Sequence, residues 1–240
     1  MEQVFLSNIE LYYSAKYIGN NTTIILDGEE FTHATKVMRN KIGDDLYVTD
    51  GNGVILQTIV DEITEKTAKL KIIKIYNYKN NYANIELYIP NLRNNDRLEF
   101  ALEKCTELGI TNFTIYNSDR SVAKGCKIDR LNKIVLSAMK QSLRAFLPII
   151  KFNDDLRKTN FSSEIILLDQ NSNISFVEFF NSTSNQNNYS LIIGPEGGFS
   201  NRELDLLKNG TSINLAPNRL RSETACVTCA CLLNYIKAIQ

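Results

Sequence analysis

Apolar and polar positions follow two different rhythms along the chain. Up to about residue 79 the apolar residues alternate in short runs, and residues 23–26, 46–49, 54–60 and 68–76 read as strands. Asp50-Gly51-Asn52-Gly53 joins the second and third of these as a hairpin turn, because its glycines reach positive φ without steric cost. Asp27 and Glu30 have the spacing of a helix cap, which predicts a helix running to about residue 40. The polar stretch 76–84 has neither helical nor strand period and marks a domain boundary.

From residue 85 strands and helices alternate. Strands are predicted at 85–89, 113–116, 165–168, 189–193 and 212–215, and helices at 96–108, 128–143, 175–180, 201–208 and 222–239. Leu98, Leu102, Cys105 and Leu108 form one apolar stripe on the first of these helices, with Gly109 just beyond its end. Such alternation implies a mostly parallel sheet with helices on its faces. The chain therefore reads as a small β unit of the kind that often binds nucleic acid, followed by an α/β domain.

Two loops of the second region carry the candidate chemistry. The strand 189–193 stops at Gly194-Pro195-Glu196-Gly197-Gly198, and Ser200 with Glu203 forms a capping-box pattern for the next helix. Glycines there let a ligand approach the backbone, and the crevice at such a strand end suits a nucleotide-like molecule. By itself the loop is equally what a tight connecting turn looks like. About twenty residues on, Leu215-Ala216-Pro217-Asn218-Arg219-Leu220-Arg221-Ser222-Glu223-Thr224-Ala225 is a second strand end opening onto a helix, and the two loops can flank one ligand.

Composition and charge prune the alternatives. The 27 basic and 27 acidic residues balance, but residues 120–151 hold Arg120, Lys124, Lys127, Arg130, Lys133, Lys140, Arg144 and Lys151 against one acid, Asp129. That excess fits either a solvated helix face or a footprint for RNA phosphates. The single histidine, His33, has no nucleophile signature near it, which argues against a histidine-based hydrolase. Five cysteines, three of them on the last predicted helix, suit reduced thiols in a cytoplasmic protein; Cys226 and Cys229 have metal-like spacing but no fourth ligand is evident and His33 is far away in sequence, so no metal is expected. No apolar run approaches the length of a membrane span, and the N-terminus lacks a signal-peptide layout. Neither a phosphate-binding G-x-x-x-x-G-K-[ST] loop nor a G-x-G-x-x-G fingerprint is present, which leaves an adenine-nucleotide enzyme without support.

Six stretches in order resemble one family. His33-Ala34-Thr35-Lys36-Val37-Met38-Arg39 with Ile42-Gly43-Asp44, Lys104-Cys105-Thr106-Glu107-Leu108-Gly109, Asp119-Arg120-Ser121-Val122, Gln141-Ser142 with Arg144 and Leu147-Pro148, Gly194-Pro195-Glu196-Gly197-Gly198, and Leu220-Arg221-Ser222-Glu223-Thr224-Ala225 are similar to the signatures of the RsmE family of ribosomal small-subunit RNA methyltransferases, within the SPOUT superfamily. The chain departs from that pattern at Lys140, where an acid is usual, at Ala216, where glycine is usual, and at Asn218-Arg219, where Arg-Ile is typical.

The resemblance implies a PUA-like β-barrel over residues 1–76 and a SPOUT-type α/β methyltransferase domain with a trefoil knot over 77–240. It also implies a homodimer, S-adenosyl-L-methionine as methyl donor, and N3 of a uridine in 16S rRNA, in the assembled small subunit, as acceptor. In that frame Leu168, Gly194, Pro195, Glu196, Gly197, Leu215, Pro217 and Leu220 would surround the donor, and Arg221 and Glu223 would act on the acceptor. Arg39, Arg120, Lys124, Lys127, Lys133, Gln141 and Arg144 would meet RNA. Ala225, Cys226, Thr228, Cys229 and Ala230 are small enough to admit a neighbouring helix, from the same chain or another. The alternative is an RNA-binding factor of the same fold that has lost donor binding.

Overall fold

The computed structural model describes residues 6–19, 21–120, 125–159, 161, 163–183 and 187–239. It divides into two compact units, one of Met1–Asn80 with Met139–Leu147 and one of Asn81–Ala138 with Pro148–Gln240. The linear division at 76/77 assigns residues 139–147 to the second domain, whereas these residues pack with the first unit.

The first unit is a five-stranded sheet in the order β1-β3-β4-β5-β2, built from β1 (Leu11–Tyr13), β2 (Thr23–Asp27), β3 (Asp45–Thr49), β4 (Val54–Ile63) and β5 (Thr67–Asn77). Only β1 and β3 run parallel. Ser14 Oγ, just after β1, donates to Ile25 O in β2 at 3.0 Å and so ties the two edges. Alternate residues Leu46, Val48, Leu56, Val60, Leu70 and Ile24 fill one core, as period-two strands require.

The helix expected from residue 27 to about 40 is broken. α1 (Gly28–Thr32) gives way to a π-helical turn, His33–Val37, and the chain leaves it through Arg39 at φ 61°. Asp27 makes no capping bond; its carboxylate pairs with Lys16 instead, and Glu30 accepts from Tyr13 N at 3.1 Å and Lys140 Nζ at 2.6 Å. The cap spacing was present, but tertiary partners claimed both carboxylates.

Residues 139–147 explain the Asp-Gly-Asn-Gly hairpin. Gly53 N donates to Ala145 O and Leu147 N to Gly51 O, each at 2.9 Å. A Cβ on Gly53, which sits at φ 106°, would lie 2.6 Å from the Phe146 ring. Gly53→Ala is therefore expected to lower unfolding stability by at least about 2 kcal/mol, combining overpacking with an unfavourable backbone. Urea denaturation measures it, and an unchanged midpoint would contradict this packing.

The second unit is a wholly parallel six-stranded sheet in the order β11-β9-β10-β6-β7-β8. Its strands are β6 (Ile85–Pro90), β7 (Asn112–Tyr116), β8 (Ile149–Asn153), β9 (Glu164–Leu168), β10 (Tyr189–Ile193) and β11 (Thr211–Ile213). Its helices are α2 (Asn95–Glu107), α3 (Ile128–Gln141, whose last residues count with the first unit), α4 (Phe176–Ser182), α5 (Asn201–Leu207) and α6 (Ser222–Ile239). Both faces are covered: Leu87, Ile89, Ile166, Leu191 and Ile193 enter one core with α2 and α6, while Tyr88, Leu167 and Ile192 enter the other with Leu207 of α5.

Cys105 on α2 and Cys226 and Cys229 on α6 are completely buried in the larger core, where burial above all pushes their thiols up from the ordinary range. Cys226, Cys229 and Ala230 thus serve packing within the chain, and α6 lies against α2. No cluster of metal-ligating side chains occurs among the described residues, and no helix there is long and apolar enough to cross a membrane.

Candidate functional site

Three adjacent parallel strands end level. Ile193 of β10 is in register with Leu168 of β9, and Leu168 with Ile213 of β11. The loops that follow all leave from this carboxyl edge, the position where open α/β sheets hold ligands. Leu168 and Leu215 are half-buried there, packed on the core below and partly open above.

The glycine loop is fixed from its backbone. Ile193 O accepts from the buried Tyr116 hydroxyl at 2.6 Å, and Gly194 O accepts from Ser222 Oγ at 2.9 Å. Gly198 N donates to Pro195 O at 2.8 Å, closing a turn that places Glu196 and Gly197 at its exposed tip. Gly198 takes φ 71°, which glycine adopts freely. Ser200 then caps α5 in a full capping box with Glu203.

Glu203 does more than cap. Almost wholly buried, it accepts from Ser200 N at 2.7 Å through one oxygen and from Asp119 N at 3.1 Å through the other. Ser200 Oγ donates to Asp119 Oδ2 at 2.6 Å, and Arg120 Nη1 donates to Gly197 O at 2.6 Å. The segment after β7 is thereby strapped to the glycine loop. Arg120, expected to face RNA, has one edge of its guanidinium committed to that loop.

Ser222 brings the start of α6 against the glycine loop, so Arg221 and Glu223 flank the bond that joins the two loops. Arg221 is exposed, and its guanidinium has no partner among the described residues. Glu223 is 8 % exposed, and its ion pair is with Arg97, not Arg221. Arg97, on the first turn of α2, donates through Nη1 to Glu196 Oε1 at 2.9 Å and holds Nε 3.6 Å from Glu223 Oε1. Glu223 Oε2 is buried without a hydrogen-bond partner among the described residues.

Arg97 was not among the residues singled out from the sequence. A signal existed: Arg93 and Arg97 bracket the start of a helix, where the dipole favours acids and disfavours cations. Together with Asn94, Asn95, Asp96 and Glu196 they line an open cleft of about 510 Å³ beside the glycine loop. Pro217 is exposed and Leu220 half-buried, both in the second loop.

The other residues expected to meet RNA are distributed over both units. Arg39, Gln141 and Arg144 lie in the first, Lys127 and Lys133 are exposed in the second, and Lys124 lies outside the described residues. Three further cations of the basic stretch are internally paired: Arg130 with Glu99, Lys140 with Glu30 and Lys151 with Glu86.

The model of an RNA methyltransferase domain matches residues 79–234, and that of an RNA methyltransferase PUA domain matches 26–73. Ribosomal RNA small subunit methyltransferase E of Rickettsia conorii is 30 % identical over 224 residues, covering 90 % of this chain and 91 % of that protein. The chain belongs to the RsmE family. A probable rRNA-methyltransferase from Porphyromonas gingivalis superposes with a TM-score of 0.82 at 25 % identity, covering 96 % of this chain and 99 % of the other. The RsmE protein of Neisseria gonorrhoeae, solved bound to S-adenosyl methionine, shares the fold with a TM-score of 0.81 at 21 % identity, over 95 % and 98 % of the two chains. The N-terminal unit is accordingly PUA-like, and the whole is a mixed α/β protein.

Proposed function

We propose that this chain is an S-adenosyl-L-methionine-dependent methyltransferase that modifies N3 of a uridine in 16S rRNA. The observation that carries the reading is the Ser222–Gly194 bond, which joins the glycine loop to the start of α6 at the level ends of parallel strands. The residues there fit the donor. Gly197 offers backbone without a side chain, Glu196 keeps its Oε2 without a partner among the described residues, and Leu168, Leu215, Pro217 and Leu220 supply apolar walls for an adenine. Gly194 and Pro195 hold the turn that presents them.

Bound there, the donor supplies an electrophilic methyl on a sulfonium, already a good leaving group. The protein's main task is then to align donor and acceptor, an effect that reaches about 7–11 kcal/mol at its best. The acceptor nitrogen carries a proton, so its lone pair must be freed. Arg221 is free to bond to a uracil carbonyl and stabilise the anion left when that proton departs. Glu223, the one acid at the α6 start, is the residue through which the proton leaves, directly or through water.

In this reading the first unit is an RNA-binding barrel and the second the catalytic domain, threaded as a trefoil knot. The enzyme acts as a cytoplasmic homodimer on the assembled small subunit. Arg39, Gln141 and Arg144 with Arg120, Lys124, Lys127 and Lys133 meet the RNA. Exposed Phe100 on α2 and Tyr235 on α6 are apolar surface available to a second copy. Replacing Lys124, Lys127 and Lys133 together by alanine is expected to reduce the log–log salt slope of subunit binding by roughly 2, at about 0.7–0.9 per lost phosphate contact. A slope equal to wild type would remove these lysines from the interface.

Calorimetric titration with S-adenosyl-L-methionine tests the reading itself. Saturable binding to the purified chain is expected; no binding would favour an RNA-binding factor without donor chemistry.

A further inference from the structure

Arg97 stands between two carboxylates of different character. Glu196 is exposed on the loop tip, while Glu223 is buried with one oxygen unpartnered among the described residues. One guanidinium spans both, through Nη1 at 2.9 Å and Nε at 3.6 Å. An exposed single ion pair is worth little by itself, and a buried carboxylate with an unmet oxygen is costly. The arrangement is therefore poor as a stability device, which leaves its geometry to be explained.

We infer that Arg97 is a positioning residue for the donor site, holding the Glu196 carboxylate by Oε1 so that Oε2 is presented to the hydroxyls of a nucleoside ribose. This rests on the proposed donor site and names what orients it. Glu196 lies on an exposed turn whose other anchors, from Gly198 N, Ser222 and Arg120, hold backbone oxygens and leave its carboxylate to Arg97, so without Arg97 its side chain samples many rotamers and must be ordered on binding. Arg97 itself is immobilised from behind by Glu223, whose helix is fixed to the loop by Ser222. The chain of contacts runs from the α6 start through Arg97 to the loop tip. Glu223 thus serves the donor side as well as the acceptor side. A planar guanidinium reaches two carboxylates at fixed angles, which a lysine ammonium does only in part.

Donor affinity by calorimetry and melting temperature, measured together on full-length wild type, Arg97→Ala, Arg97→Lys and the double variant Arg97→Ala/Glu223→Gln, test this. Arg97→Ala is expected to weaken S-adenosyl-L-methionine binding by about tenfold, equivalent to about 1.4 kcal/mol, and to lower the melting temperature because Glu223 is left buried and unpaired. Arg97→Lys should recover part of the affinity. In the double variant the unpaired charge is gone, so the melting temperature should return toward wild type while the affinity stays low. Affinity that returns together with stability would make Arg97 merely structural and overturn the inference. So would an Arg97→Ala variant that binds within about threefold of wild type. Wild type that does not bind would instead reject the donor site, and this inference with it.

Discussion

Arg221→Ala is expected to bind S-adenosyl-L-methionine within about threefold of wild type and to transfer its methyl group roughly 10²-fold or more slowly in a single turnover, the scale seen when a charge-stabilising donor is removed. Two observations sharpen this. Arg221 is exposed and has no partner among the described residues, so its removal breaks no ion pair. Glu223 takes its cation from Arg97, which removes the competing account in which Arg221 serves only to hold Glu223. The melting temperature should consequently stay at the wild-type value. Arg221→Lys should restore the rate only in part, because an ammonium lacks the planar fork. Raising the pH should partly rescue Arg221→Ala, since more of the uridine is then already deprotonated before the enzyme acts. Wild-type turnover, or slow turnover explained by loss of fold, would reject the catalytic role.

The second large effect belongs to Gly197. A Cβ placed there would lie 3.4 Å from Arg120 Cβ and 3.5 Å from its Cδ, ordinary contact with a flexible side chain, and no unusual φ demands glycine. The fold should therefore accept Gly197→Val. What it should not accept is the donor, because the branched side chain stands at the exposed tip where the ligand must approach backbone. Overpacking of about 1–3 kcal/mol implies a loss of affinity that reaches roughly 100-fold. Calorimetry showing wild-type affinity in a folded variant would move the donor elsewhere.

The parallel sheet was legible because its central strands are short, mostly apolar runs, as at 189–193, set between helical periods. The capping box at Ser200 and Glu203 was legible for the same local reason. β1 and β8 were not. The first has three residues, and the second, Ile-Ile-Lys-Phe-Asn, lies at the sheet edge with its first residue exposed, so neither leaves a firm period. The π-helical turn at His33–Val37 has no sequence signature separable from an α-helix. Residues 139–147, the last residues of α3 and the loop after it, pack with the N-terminal unit, a long-range preference that no local pattern encodes.

The same division runs through the site. The two loops were found from glycines and capping residues, which act locally. Their joining by Ser222, the strap from Glu203 to Asp119, and the sharing of Arg97 by Glu196 and Glu223 depend on residues far apart in sequence. Lys140 illustrates the point. It departs from the family pattern, and the structure supplies its physical reason, a mostly buried ion pair with Glu30 more than a hundred residues away.

The most direct test is methyl transfer. Purified chain, radiolabelled S-adenosyl-L-methionine and small ribosomal subunits from cells lacking the endogenous enzyme should give one labelled nucleoside in 16S rRNA, identified by mass spectrometry as N3-methyluridine. Subunits that stay unlabelled although the chain binds them, or label carried on another atom or base, would contradict the account.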